Sequence, residues 1–125
     1  MTQSDRNIIA ALAALILLQV IMLSALYAGV APHPPRITPI SAIAPFLGAA
    51  IAVAFAAIVV GPRTTRTGRA LSVVATLMAL LSFGPQKYFD DQIALIWPAV
   101  VLGQSAVVVI IASVLGNLRK APVAA

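Results

Sequence analysis

The sequence predicts an all-α polytopic membrane protein, a bundle of four transmembrane helices. Three observations predict it. Four long apolar runs are each about the length that crosses a hydrocarbon core of ~30 Å. Nearly every charge lies in the short connectors between the runs or at the chain ends. Hydrophobic residues fill 62% of the 125 positions and charged residues only 9%, where an ordinary soluble domain carries about 25% charged residues. A water-soluble fold of this size leaves too much of its chain exposed to hide that apolar surface. The length suits one integral membrane domain over residues 1–125.

The first run predicts a helix over about 7–30. Its flank opposes Asp5 to Arg6 and has no basic cluster, and the run is longer than a signal-peptide core. The best small-x-small cleavage site, Gly29-Val30-Ala31, would leave Pro32 after the cut. A retained membrane helix is therefore expected. The connector Ala31-Pro-His-Pro-Pro-Arg36 favours stiff, extended chain. A second helix is expected over about 39–60 and a third over about 66–83, the latter with the shortest apolar core, 70–83. The fourth is expected over about 92–117. In hydrocarbon the backbone must satisfy its own hydrogen bonds, so these runs read as helices. Four runs without polar/apolar alternation do not make a strand barrel.

The second and fourth runs open alike. Ile40-Ser-Ala-Ile43-Ala-Pro45 and Ile93-Ala-Leu-Ile96-Trp-Pro98 both read Ile-x-x-Ile-x-Pro, with Gly48 and Gly103 following at different spacings. Two tandem helical hairpins, related by an axis along the membrane normal, would explain this. Coincidence in an Ile- and Ala-rich chain explains it as well. Both prolines are expected in first turns, where the missing N–H matters little. Asp90 or Asp91 would cap the fourth helix, with Pro98 bending it two turns in; alternatively that helix begins near Pro98.

Small residues at four-residue spacing, Ala44, Gly48, Ala52 and Ala56, mark the second run. The fourth carries Ala99 with Gly103 and Ala112 with Gly116; the third carries Ser72, Ala75, Ala79 and Ser82. Such stripes let helices approach closely. They are read first as the internal seam of the bundle and second as an oligomer interface.

Charge placement sets orientation. Arg6, Arg63, Arg66, Arg69, Arg119 and Lys120 fall on one side; Arg36 and Lys87 fall on the other, with Asp90 and Asp91. Positive residues stay on the cytoplasmic side, so both termini are expected there, in a bacterial-type inner membrane. The net charge of +5 is then mostly topological, with some contact to anionic headgroups. The segment Gly61-Pro-Arg-Thr-Thr-Arg-Thr-Gly-Arg69 lacks aromatics for base stacking, so nucleic acid is not an expected partner.

No ionisable residue lies deep in any run, which speaks against a proton-driven pump whose coupling residue sits in one protomer. Gln19, Thr76, Gln104 and Ser105 form a candidate intramembrane polar layer. Its favoured reading is a hydrogen-bonded register device worth about 0.6 kcal/mol per bond; its other reading is a patch for a solute, a quinone-like headgroup or a partner helix. His33, Arg36, Lys87, Tyr88, Asp90, Asp91 and Trp97 form a candidate outer-face interaction site. Tyr88, Phe89 and Trp97 suit the interfacial aromatic belt. An ordered cap is the favoured reading there, over a divalent-metal site or a histidine pH latch, because one histidine and two adjacent aspartates make no metal signature. Cysteine is absent, and no phosphate loop, zinc helix or nucleophile elbow occurs. Neither catalysis nor a cofactor is expected. The expected role is an accessory, assembly or stabilising subunit of a larger membrane complex, its partners the bilayer and another membrane protein or further copies of itself. The alternative is a homo-oligomeric channel or transporter for a small solute or ion.

Overall fold

Four helices form on the four apolar runs, and side chains satisfy terminal backbone groups at the start of the first and at both ends of the third. The computed structural model describes residues 2–29, 40–89 and 93–120, with the side chains of 40, 95 and 117–120 left out. Helix α1 spans Gln3–Ala28, α2 Ile40–Val60, α3 Arg66–Phe83 and α4 Ile93–Lys120. A 3-10 turn, Pro85–Phe89, follows α3. All four α-helices are long and apolar enough to span a membrane.

Helix α1 starts four residues earlier than the apolar run suggests. Thr2 and Asp5 make a reciprocal capping box: Thr2 Oγ1 accepts the Asp5 N–H at 3.1 Å, and Asp5 Oδ2 accepts the Thr2 N–H at 3.0 Å. The helix ends at Gly29, which adopts φ 68° and donates its N–H to the Leu26 carbonyl at 3.3 Å. Helix α3 opens on Thr65, whose hydroxyl accepts the Gly68 N–H at 2.9 Å. At its other end Gln86 Nε2 donates to the Leu80 and Leu81 carbonyls at 2.8 and 3.2 Å, meeting acceptors the helix leaves open.

Both prolines lie inside their helices rather than at a start. Pro45 is five residues after Ile40 and Pro98 five after Ile93, so both sit in second turns. Helix α4 runs through Pro98, which replaces the alternative start near that residue. Only one ladder bond is lost at each proline, and the long apolar run beyond it keeps the chain helical. The proposed caps Asp90 and Asp91 lie outside the described residues.

Each helix packs on its sequence neighbours, and α4 returns to α1; across the middle α1 also touches α3. Large side chains of α1 and α4 meet small ones of α2 and α3. Ile8, Leu12 and Leu15 of α1 and Ile110 and Val114 of α4 pack with Ala54 and Ala57 of α2 and Ala75 and Ala79 of α3. Helix α2 turns Leu47, Ala50, Ala54 and Ala57 inward. Its stripe of Ala44, Gly48, Ala52 and Ala56 therefore does not form the internal seam: Gly48 and Ala52 are exposed, and a Cβ placed at Gly48 meets nothing within 4 Å. The α3 stripe does face inward, with Ser72, Ala75, Ala79 and Ser82 all buried. In α4, Gly103 lies against Phe83 and Leu18, whereas nothing stands within 4 Å of a Cβ at Gly116.

Helix α3 is polar inside and apolar outside. Arg69, Ser72, Thr76 and Ser82 are buried, while Val74, Leu77 and Leu81 point outward. This inverts a soluble helix and suits one whose surroundings are hydrocarbon.

Candidate functional site

Polar side chains collect in three places along the molecule. The first is the end that carries the α1 N-terminus and the α2–α3 connection. Arg63 donates from Nη1 to Asp5 Oδ1 at 3.0 Å and lies 3.5 Å from Thr2 Oγ1, tying that connection to α1. Ser72 shares its hydroxyl between the Pro62 carbonyl at 3.3 Å and the Gly68 carbonyl at 2.8 Å. Thr65 donates to the Gly61 carbonyl at 3.4 Å. Gly68 sits directly beneath that carbonyl, where a Cβ would collide with backbone. Arg69, only 8% exposed, donates from Nη1 to the Arg63 carbonyl at 3.5 Å. Arg6 and Arg66 stand exposed at the same end. Sequence reasoning counted these arginines as topological charge. It had no signal for the Asp5–Arg63 pair, because fifty-eight positions separate the partners. Arg69 had a local one: it shares the three-and-four spacing of Ser72 and Thr76.

The second place is the middle of the molecule. Gln19 is 1% exposed, and its Oε1 has no hydrogen-bond partner among the described residues. Thr76, equally buried, donates to the Ser72 carbonyl of its own helix at 2.9 Å. Ser105 is exposed and donates to the Val101 carbonyl of its own helix at 2.8 Å. Gln104 is half-buried and donates to the Phe83 carbonyl at 3.2 Å. No hydrogen bond among the described residues joins Gln19, Thr76, Gln104 and Ser105 to one another. Serine and threonine in a helix readily turn back to the carbonyl one turn earlier, and both hydroxyls do so here.

The third place is the opposite end. Tyr88 donates its hydroxyl to Gln104 Oε1 at 3.2 Å, joining one outer-face residue to one of the intramembrane group. Together with the Gln104 bond to Phe83, this pins the 3-10 turn and the end of α3 onto α4. Tyr88, Phe89, Trp97 and Tyr27 are all exposed, and Lys87 is half-buried. Four side chains of the outer-face group, His33, Arg36, Asp90 and Asp91, lie outside the described residues. Among the described residues no three His, Cys, Asp or Glu side chains come together as metal ligands.

Comparison with protein-family models, with curated proteins and with solved structures finds no match.

Proposed function

We propose that this protein is a membrane-spanning four-helix bundle and acts as an accessory or assembly subunit, docked in the membrane plane against a larger membrane protein. The observation that carries this reading is the outward face of α2. Gly48 and Ala52 form a shallow exposed strip on that face, and among the described residues a Cβ at Gly48 meets nothing within 4 Å. The most apolar stretch of α2 has 22% of its residues buried, against 44% for α3. Small residues on a lipid-facing strip let a second helix come close, and close packing drives association where hydrophobicity does not. The interior supports docking over conduction through one copy, because Leu12, Leu15, Leu47 and Ile110 fill it at no more than 1% exposure. Arg6, Arg63, Arg66 and Arg69 share one end, which supports cytoplasmic termini in a bacterial-type inner membrane.

The test is affinity purification from native membranes in a mild detergent, followed by mass spectrometry, for the wild type and Gly48→Leu. A stoichiometric larger membrane protein is expected with the wild type and is expected to be lost with the variant. A lone monomer, or a partner retained by Gly48→Leu, would overturn the reading. A homo-oligomeric channel is the second reading, favoured by the inward polar face of α3 and by Gln19. It requires solute or ion flux in liposomes that falls in Gln19→Leu and Gln104→Leu.

A further inference from the structure

We propose that the end of the molecule built from Arg63, Arg66 and Arg69 binds the phosphate of an anionic phospholipid, with Arg69 as its buried cation. The inference rests on the membrane-spanning reading and adds a ligand to it.

Arg69 is the unusual residue. A guanidinium carries five N–H donors and a permanent charge. Here the residue as a whole is only 8% exposed, and among the described residues the one side-chain bond it makes is the long contact to the Arg63 carbonyl. Asp5 is the one acid among the described residues, and it is paired with Arg63. Burying a charge without a counter-charge is strongly unfavourable. No nitrogen of Arg69 is both sealed and unbonded, so the donors that bond nothing still open to the outside. An anion arriving there meets a preformed, planar donor group, the geometry that suits phosphate oxygens.

Position selects the source of that phosphate. Arg69 directly precedes the apolar core of α3, which begins at Ala70. Its depth is that of the headgroup layer, where lipid phosphates are concentrated. Arg66 lies three positions earlier on the same helix face and is exposed. The N–H groups of Gly68 and Arg69 bond Thr65, while those of Arg66 and Thr67, in the first turn, have no acceptor within the helix. The connection above is held rigid by Gly68 under Gly61 and by Ser72 under Pro62, so the donors are ordered before a lipid arrives.

The test uses the full-length chain in mild detergent, with phosphatidylglycerol or phosphatidylcholine added and lipid adducts counted by native mass spectrometry. Phosphatidylglycerol is expected to bind about tenfold tighter or more. Arg69→Gln is expected to remove most of that preference, and Arg66→Gln to weaken it about fivefold. Lys87→Gln, at the opposite end, is expected to leave it unchanged. Arg69→Lys keeps the charge but not the planar fork and is expected to fall between wild type and Arg69→Gln. If Arg69→Gln does not fold, Arg69→Lys and Arg66→Gln decide the matter. Equal binding of the two lipids, or full preference in these variants, would overturn the proposal. Inorganic phosphate that displaces phosphatidylglycerol at millimolar concentration would overturn it too, by assigning the site to a soluble anion. Co-flotation with phosphatidylcholine vesicles tests the membrane reading separately: a chain that floats but shows no lipid preference refutes this site alone.

Discussion

Gly103→Ala probes the contact that holds α4 against α3. A Cβ at residue 103 would lie 2.9 Å from Phe83 Cβ, 3.2 Å from Phe83 Cγ and 3.5 Å from Leu18 Cδ1. Carbon atoms in comfortable contact are about 3.5–4.0 Å apart, so the two helices must separate by roughly 0.5–1 Å. Phe83 Cβ is anchored to the α3 backbone and cannot swing away as the tip of a long side chain would. The movement also stretches the Gln104 bond to the Phe83 carbonyl, already 3.2 Å long. Overpacking of this kind costs about 1–3 kcal/mol, and the weakened bond adds about 0.6 kcal/mol. Alanine returns up to about 1 kcal/mol through its better helix propensity. The net expectation is a loss of about 1–2.5 kcal/mol. Unfolding in detergent, followed by circular dichroism and by the fluorescence of Trp97, measures it; Trp97 is the sole tryptophan and lies in α4 itself. Gly48→Ala is the matched control. It adds the same methyl group to α2 where nothing lies within 4 Å, so stability is expected to stay level or rise by up to about 1 kcal/mol. A Gly103→Ala protein as stable as wild type, or two variants that behave alike, would refute the reasoning.

Two further outcomes follow from the same structure. Gly68→Ala drives a Cβ into the Gly61 carbonyl, a backbone atom that cannot rotate aside; a loss of about 3 kcal/mol is expected, together with faster tryptic cleavage at Arg63 and Arg66, and unchanged proteolysis would refute the close fit. Gln19→Leu replaces a buried amide whose oxygen has no partner among the described residues with an apolar side chain of similar size, and a gain of about 1 kcal/mol in unfolding free energy is expected; a loss of stability would show that the amide serves a bound group.

The helices were readable because length and apolarity alone define a segment that can span hydrocarbon. The third helix falls on 66–83 as expected, and the second, Ile40–Val60, lies within the expected 39–60. Error grows where a short polar side chain decides the end. Thr2 and Asp5 extend α1 back to Gln3 by capping it, and an apolar-run reading that starts at Asn7 passes over both. The Pro85–Phe89 turn depends on Gln86 reaching back to the Leu80 carbonyl, a contact that no periodicity announces. Helix phase was the hardest property to read. In α2 alanine occupies both the strip at Ala44, Ala52 and Ala56 and the strip at Ala50, Ala54 and Ala57. With apolar residues all round, hydrophobicity carries no signal for which strip turns inward. Helix α3 was readable in phase because Ser72, Ala75, Ala79 and Ser82 stand opposite Val74, Leu77 and Leu81.

That difference between α2 and α3 bears on function. In a lipid surrounding an exposed Phe55 or Val59 would carry no penalty, so bulky residues on the outside of α2 carry no information about partners. The small residues that precede them, Gly48 and Ala52, do. Inside the bundle α2 contributes mostly alanines, which fit the large side chains of α1 without needing Gly48. The glycine on the outer face answers no packing demand among the described residues, and in a helix interior it costs about 1 kcal/mol relative to alanine. A neighbouring helix crossing at Gly48 and Ala52 would recover that cost as close contact. The polar interior of α3 makes no equivalent demand for a partner, since Ser72 and Thr76 are satisfied by carbonyls within the chain. Docking along α2 therefore accounts for a feature that folding leaves unexplained, whereas conduction along α3 calls on hydroxyls that are already engaged.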